Sequence, residues 1–223
     1  MGTVKIIQVK EDILANNNKR AEALREELAQ KKVFLLNLMS SPGSGKTSLI
    51  LQTIDRLREN WRFGVLEADI DSAVDAEKIA AAGIPAVQLH TGGMCHLDAG
   101  MVAAGLAELP QEELDLVIIE NVGNLVCPAE FDTGAVCNVM ILSVPEGDDK
   151  PLKYPLMFSI CDVLLINKID YLPLSDFELE AAKARARTLN PNIEVFPVSA
   201  KTGEGIAVWT DWLEQKLKAF SNQ

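Results

Sequence analysis

Residues 40–47, SSPGSGKT, set two glycines, a lysine and a threonine in the order that cradles phosphate. The general pattern is G-x-x-x-x-G-K-[ST], and here Ser40 stands in place of the opening glycine. Gly43 and Gly45 let backbone N–H groups converge on phosphate oxygens with no Cβ in the way. Lys46 can reach the β- and γ-phosphates, and the Thr47 hydroxyl can ligate Mg²⁺. Ser40 is compatible with such a turn if its backbone keeps a negative φ. The expected phosphate-contacting stretch is Gly43, Ser44, Gly45, Lys46, Thr47 and Ser48. The competing reading is a Gly/Ser turn that merely ends in Lys-Thr.

Three later segments bear on that choice. LVIIENVGN puts Glu120 at the end of an apolar run, where a carboxylate can hold Mg²⁺ through water. LLINKID ends another apolar run with Asn167, Lys168 and Asp170. Guanine offers two donors on its N1/N2 edge, and the Asp170 carboxylate can accept both, a pattern adenine cannot match. A site built on such bonds can reject the wrong base by roughly 10⁴-fold. VFPVSAKTGEG then supplies Ser199, Ala200 and Lys201, a loop whose amide can meet guanine O6. Taken singly, N-K-x-D could be a helix-capping turn and S-A-K an ordinary loop. In this order, each at a strand end, the segments resemble a GTP-binding G domain.

A second constellation lies in LHTGGMCHLDAG, residues 89–100. Adjacent Cys95 and His96 would point apart within a strand. After the flexible Gly92-Gly93 turn and at the start of a helix they can converge. A helix N-terminus would also lower the thiol pKa and favour the thiolate that binds metal. Cys127, a few residues past Glu120, is the third candidate ligand. The plainer reading makes these cysteines buried thiols and the histidine a core residue. Three protein ligands leave one position of a tetrahedral or square-planar ion open. Water, or a second copy of the chain across a symmetric interface, could complete it. Two thiolates and an imidazole suit Zn²⁺ as well as Ni²⁺.

These groups need a frame. VFLLNLM, residues 33–39, reads as a buried strand, and further strand-like runs follow at 63–67, 86–90, 115–119, 138–144, 162–166 and 193–198. Helical patterns alternate with them at 46–59, 72–82, 96–108, 152–160, 175–189 and 204–219. The rhythm implies an α/β fold, a mainly parallel sheet with helices on both faces. Ligands then sit at the carboxyl ends of the strands. Residues 11–31 read as a charged amphipathic helix with Ile13, Leu14, Ala21, Leu24 and Leu28 on its apolar face. Residues 1–32 are therefore expected to form an N-terminal strand/helix extension, and 33–223 the nucleotide-binding domain.

The 223 residues suffice for one packed domain, and a formal net charge of −11 argues against a nucleic-acid surface. No apolar run is long enough to span a membrane, and no signal peptide is apparent, so the chain reads as cytoplasmic. The four cysteines are then expected as thiols, ligands or core residues rather than disulfides.

The strings SPGSGKT, DAEKI, TGGMCHLDA, ENVGNLVCP, EGDDKPLKYPLMF, NKID and VSAKTGEG resemble the HypB family of hydrogenase nickel-incorporation GTPases. The likeness runs from about residue 10 to the C-terminus. It implies a P-loop NTPase G domain that hydrolyses GTP to GDP and phosphate. It also implies homodimerisation promoted by GTP and nickel delivery during [NiFe]-hydrogenase maturation. Partners would be other maturation proteins and the hydrogenase large subunit. The resemblance carries over Cys95, His96 and Cys127 as the Ni²⁺ or Zn²⁺ site. It sets Thr47, Asp69 and Glu120 around Mg²⁺, with Lys46, Asp69 and Glu120 serving catalysis. It places Lys153 near the nucleotide or the dimer contact. Asp69, Asp71 or Asp75 would orient the attacking water. The sequence shows neither a Cys-x-x-Cys-Gly-Cys motif nor a His-rich tract, Ala68 precedes Asp69 where relatives commonly have Gly, and Gly100 replaces a histidine found in some relatives. A urease-type accessory GTPase, and a P-loop small-molecule kinase with a structural zinc, are the alternatives.

Overall fold

A computed structural model describes residues 9–69 and 74–222. Helix α1 (Val9–Lys31) leads into β1 (Phe34–Ser40). Lys32 takes a left-handed conformation, φ 58°, and the Val33 N–H reaches back to the Leu28 carbonyl at 2.9 Å. That bond closes the helix and turns the chain into the sheet. There follow α2 (Lys46–Leu57), β2 (Phe63–Asp69), α3 (Val74–Ala81), β3 (Ala86–His90), α4 (Ala99–Ala107) and β4 (Leu116–Glu120). The remainder is β5 (Cys137–Ser143), α5 (Lys150–Lys153), α6 (Pro155–Ile160), β6 (Val163–Asn167), α7 (Leu179–Leu189), β7 (Glu194–Pro197) and α8 (Ile206–Ser221).

The seven strands form one sheet in the order β3-β2-β4-β1-β5-β6-β7, and every pairing is parallel. The α/β expectation therefore holds. All of β1 is buried, as a central strand covered on both faces must be. Its period of two splits the core: Phe34, Leu36 and Leu38 pack with α2 and α8, while Leu35 faces the layer that includes Leu24 and Leu28 of α1. Because all seven strands are parallel, the loops that follow them emerge at one edge, and the expected site residues lie at or after those strand ends.

Several boundaries differ from the sequence reading. The run 96–108 starts its helix at Ala99, because the Asp98 side chain caps it by accepting from Met101 N at 2.8 Å. The run 152–160 is two short helices that break at Tyr154, ahead of Pro155. The run 175–189 becomes helical only at Leu179, after a 3₁₀ stretch over Ile169–Leu174. The first residues of the 72–82 helix, and the expected strand before α1, lie outside the described residues. On α1, Ala21, Leu24 and Leu28 are buried as read, but Ile13 is exposed. Among the described residues no helix is long and apolar enough to cross a membrane.

Gly205 illustrates how tightly the α8 entry is built. It sits at φ 74°, and a Cβ there would come within 2.1 Å of the Pro197 carbonyl oxygen. Gly205→Ala combines left-handed strain with a backbone clash, so we expect a loss of about 2 kcal/mol or more in urea unfolding. An unchanged midpoint would show that this turn has room to relax.

Candidate functional site

The phosphate loop leaves β1 at Ser40, which is fully buried and is not among the residues with positive φ. The condition for a serine at that position is thus met. Its hydroxyl donates to the Ser41 carbonyl at 2.7 Å and accepts from Ser44 Oγ at 2.6 Å and Lys46 Nζ at 3.2 Å. Gly43 and Gly45 take φ values of 74° and 101°, the left-handed region that lets the loop wind on itself. Helix α2 starts immediately after Gly45, so its free N–H groups and positive dipole end face the loop.

The base side is held together by hydrogen bonds that join segments remote in sequence. Asn167 Nδ2 donates to the Ser44 carbonyl at 2.8 Å, and its Oδ1 accepts from Ala200 N at 3.1 Å. A Cβ on Gly45 would approach Asn167 Nδ2 to 2.6 Å, so the glycine is needed for this approach as well as for its φ. Lys168, itself left-handed at φ 63°, donates to the Gly43 carbonyl at 2.7 Å. Ser199 Oγ donates to Asp170 Oδ1 at 2.7 Å and orients that carboxylate. Gly45, Ser48, Asn167, Lys168, Asp170, Tyr171, Ala200 and Lys201 line one cleft of about 350 Å³. Lys153 is not brought there. It lies on α5 and pairs with Asp149, the residue just before that helix.

On the phosphate side, Thr47 Oγ1 donates to Glu120 Oε1 at 2.9 Å. Glu120 is 2% exposed, and its Oε2 is buried with no hydrogen-bond partner. Burial pushes this carboxyl up to about 7, against the pull of Lys46 and the Thr47 hydroxyl. A hydroxyl beside an under-satisfied carboxylate is a donor set suited to Mg²⁺. Asp69 ends β2, half-buried at the same edge. Asp75 lies on α3, and Asp71 is outside the described residues.

Cys95, His96 and Cys127 converge: one ligand atom from each lies within 4.8 Å of the others. Cys95 Sγ donates to Cys127 Sγ at 2.7 Å and lies 3.9 Å from His96 Nδ1. All four cysteines are free thiols, and Cys137 and Cys161 are core residues. The expectation that Cys95 opens a helix is not met. The residue precedes α4 rather than opening it, and its thiol is held above the ordinary value by the hydrogen bond to Cys127 and by desolvation. Desolvation lowers the His96 pKa, opposed by Asp98 and Glu130, which favours the neutral, ligating imidazole.

Several supporting residues escaped the sequence reading. The Phe131 ring stacks on His96 with centroids 3.8 Å apart and 19° between planes. Asn124 Nδ2 donates to the Cys95 carbonyl at 3.3 Å while its Oδ1 accepts from Val126 N at 2.8 Å, so it ties the two ligand loops together. Asn17 of α1 accepts from Ala99 N at 2.9 Å and donates to the Asp132 carbonyl at 2.8 Å. Arg25 grips the Asp132 carboxylate with both oxygens at 2.8 Å. Helix α1 thus braces the segment that carries Phe131. Asn and Phe offer no periodic signal, and only tertiary contact gives them these tasks.

The segment 120–127 spans the two halves. Glu120 touches the phosphate loop through Thr47, Cys127 completes the triad, and between them Gly123 packs so close to Pro42 that a Cβ would meet its ring at 2.9 Å. Known proteins share this chain's sequence and fold. The profile described as CobW/HypB/UreG, nucleotide-binding domain, covers residues 32–197. The hydrogenase maturation factor HypB of Azotobacter vinelandii is 50% identical over 95% of this chain and 70% of its own length. The chain belongs to the hydrogenase maturation factor HypB family. HypB of Helicobacter pylori, solved in complex with nickel, superposes with a TM-score of 0.87 at 36% identity, covering 92% of this chain and 96% of that one. HypB of Archaeoglobus fulgidus gives a TM-score of 0.85 at 39% identity, covering 92% and 100%. As a HypB relative, the chain has a P-loop NTPase fold and belongs to a nucleotide-binding, nucleotide-hydrolysing family.

Proposed function

We propose that this HypB-family chain is a GTP-hydrolysing metallochaperone that carries nickel for insertion into [NiFe]-hydrogenase. The observation that carries the reading is the segment 120–127, with a carboxylate against Thr47 at one end and, at the other, the cysteine that joins Cys95 and His96. A rearrangement of this segment on hydrolysis would alter the ligands around the ion, and by reciprocity the ion would alter nucleotide affinity.

In this reading the loop amides, Lys46 and the α2 N-terminus hold the phosphates, and Asp170, fixed by Ser199, reads guanine. Mg²⁺ held by Thr47, Asp69 and Glu120 would neutralise charge on the β- and γ-phosphates. Asp69 or Asp75 would orient the attacking water. No arginine lines the cleft among the described residues, so unassisted turnover is expected on the order of 10⁻⁴ to 10⁻² s⁻¹. Cys95, His96 and Cys127 bind Ni²⁺ as cargo, and Zn²⁺ is an equally good chemical fit. Exposed Met94 and Val126 beside the triad are suited to contact with a second copy of the chain, whose approach GTP would promote. Lys153, exposed on α5, could serve in the same contact. Cytoplasmic action alongside maturation proteins and the hydrogenase large subunit completes the proposal.

Sizing the purified chain with GDP or a non-hydrolysable GTP analogue, with bound Ni²⁺ counted in each fraction, tests the coupling. The expected result is a dimer with the analogue, a monomer with GDP, and a metal affinity that differs between them. Identical size and metal affinity in both nucleotide states would defeat it.

A further inference from the structure

The face of the sheet under α2 and α3 holds a carboxylate that the reading above does not use. Strands β3, β2 and β4 bring Gln88, Glu67 and Glu120 into one row, with Glu67 opposite Gln88 on one side and opposite Glu120 on the other. Glu67 is 3% exposed and Glu120 2%. Glu67 Oε2 and Glu120 Oε2 are both buried without hydrogen-bond partners, as are both polar atoms of the Gln88 amide. Asp75 faces the pair from α3, and one carboxylate oxygen each from Glu67, Asp75 and Glu120 lies within 4.8 Å of the others.

Buried acceptors of this kind are ordinarily satisfied, and orphaned ones call for an explanation. Two orphaned carboxylates side by side are costlier still, since like charges repel in a low-dielectric interior. Lys46 acts on Glu120, and Lys78 pairs with Asp75 at 2.6 Å, but neither cation satisfies the buried oxygens. A hard divalent ion would. Three carboxylates form an all-oxygen donor set suited to Mg²⁺ or Mn²⁺, whereas the thiolates of the Cys–His triad suit softer ions.

We propose that Glu67, Asp75 and Glu120 form a divalent-cation site that fills without nucleotide, with Glu67 as its buried floor. The site shares Glu120 with the ion held by Thr47 and nucleotide phosphates, but it needs no phosphate and requires Glu67. It depends neither on guanine recognition nor on the triad.

The test uses the full chain carrying Cys95→Ala and Cys127→Ala, so that no thiol site competes, stripped of nucleotide and metal. Free Mn²⁺ is followed by electron paramagnetic resonance during titration. We expect saturable uptake of Mn²⁺, stoichiometric with the chain, and at least about tenfold weaker uptake when Glu67→Gln is added. Asp75→Asn, at a side chain nearer solvent, provides the same reading if Glu67→Gln does not fold. No saturable uptake without nucleotide, or equal affinity in both carboxylate variants, overturns the site. Fluorescent GTP binding is measured on the same samples with Mg²⁺. Lost nucleotide binding with retained Mn²⁺ uptake counts against the GTPase reading and supports the separate site.

Discussion

Replacing Cys127 by alanine should remove tight nickel or zinc binding while leaving GTP affinity within about threefold. Three side chains supply the ligand set, and the two sulfurs already lie 2.7 Å apart. Without Cys127, Cys95 and His96 remain, and two ligands drawn from adjacent residues cannot enclose an ion. Loss of a mere supporting bond around a metal costs about 10- to 100-fold in affinity, so loss of a ligand should exceed that. The nucleotide side is spared because the loop contacts run through Thr47, Asn167 and Lys168. Metal counted by mass spectrometry and competition with a chromophoric chelator, both under reductant, give the answer. Cys161→Ala is the control: its thiol is fully buried in the core and pushed well above the ordinary range by desolvation, so metal uptake should not change. Retained stoichiometric metal in Cys127→Ala would move the site elsewhere.

The other large effect concerns the base. Asp170→Asn should weaken GTP on the order of 10²-fold or more and improve binding of xanthosine triphosphate. Guanine presents N1–H and N2–H donors to the two carboxylate oxygens. The amide substitutes a donor for one acceptor, which mismatches guanine but meets the C2 carbonyl of xanthine. Ser199 Oγ donates to Asp170 Oδ1 at 2.7 Å, and a hydroxyl can rotate to accept from the new amide, so the variant should fold. Competition of the two triphosphates against a fluorescent GDP gives the ratio directly. An unchanged preference for GTP would take Asp170 out of base recognition.

How much of this was legible beforehand depended on the range of the interactions involved. The alternation of apolar runs with helical patterns gave the α/β class because period and turn chemistry are local. The phosphate loop was legible for the same reason: Gly43, Gly45, Lys46 and Thr47 act within one turn of chain. The broken helix over 152–160 was a missed local signal, since Pro155 marks the break. The late start of α4 was another, because Asp98 is a good capping residue.

By itself, then, the sequence determined the alternating elements, the loop that turns glycine freedom into an anion cradle, and the residue types able to hold a soft ion. Tertiary structure decided which of those types meet. Glu67 stands beside Glu120 only because β2 pairs with β4 in that register. Asn17 and Arg25 brace the triad only because α1 lies across the loop bearing Asp132. Such neighbours are set by strand order and packing between distant segments, which no local pattern encodes.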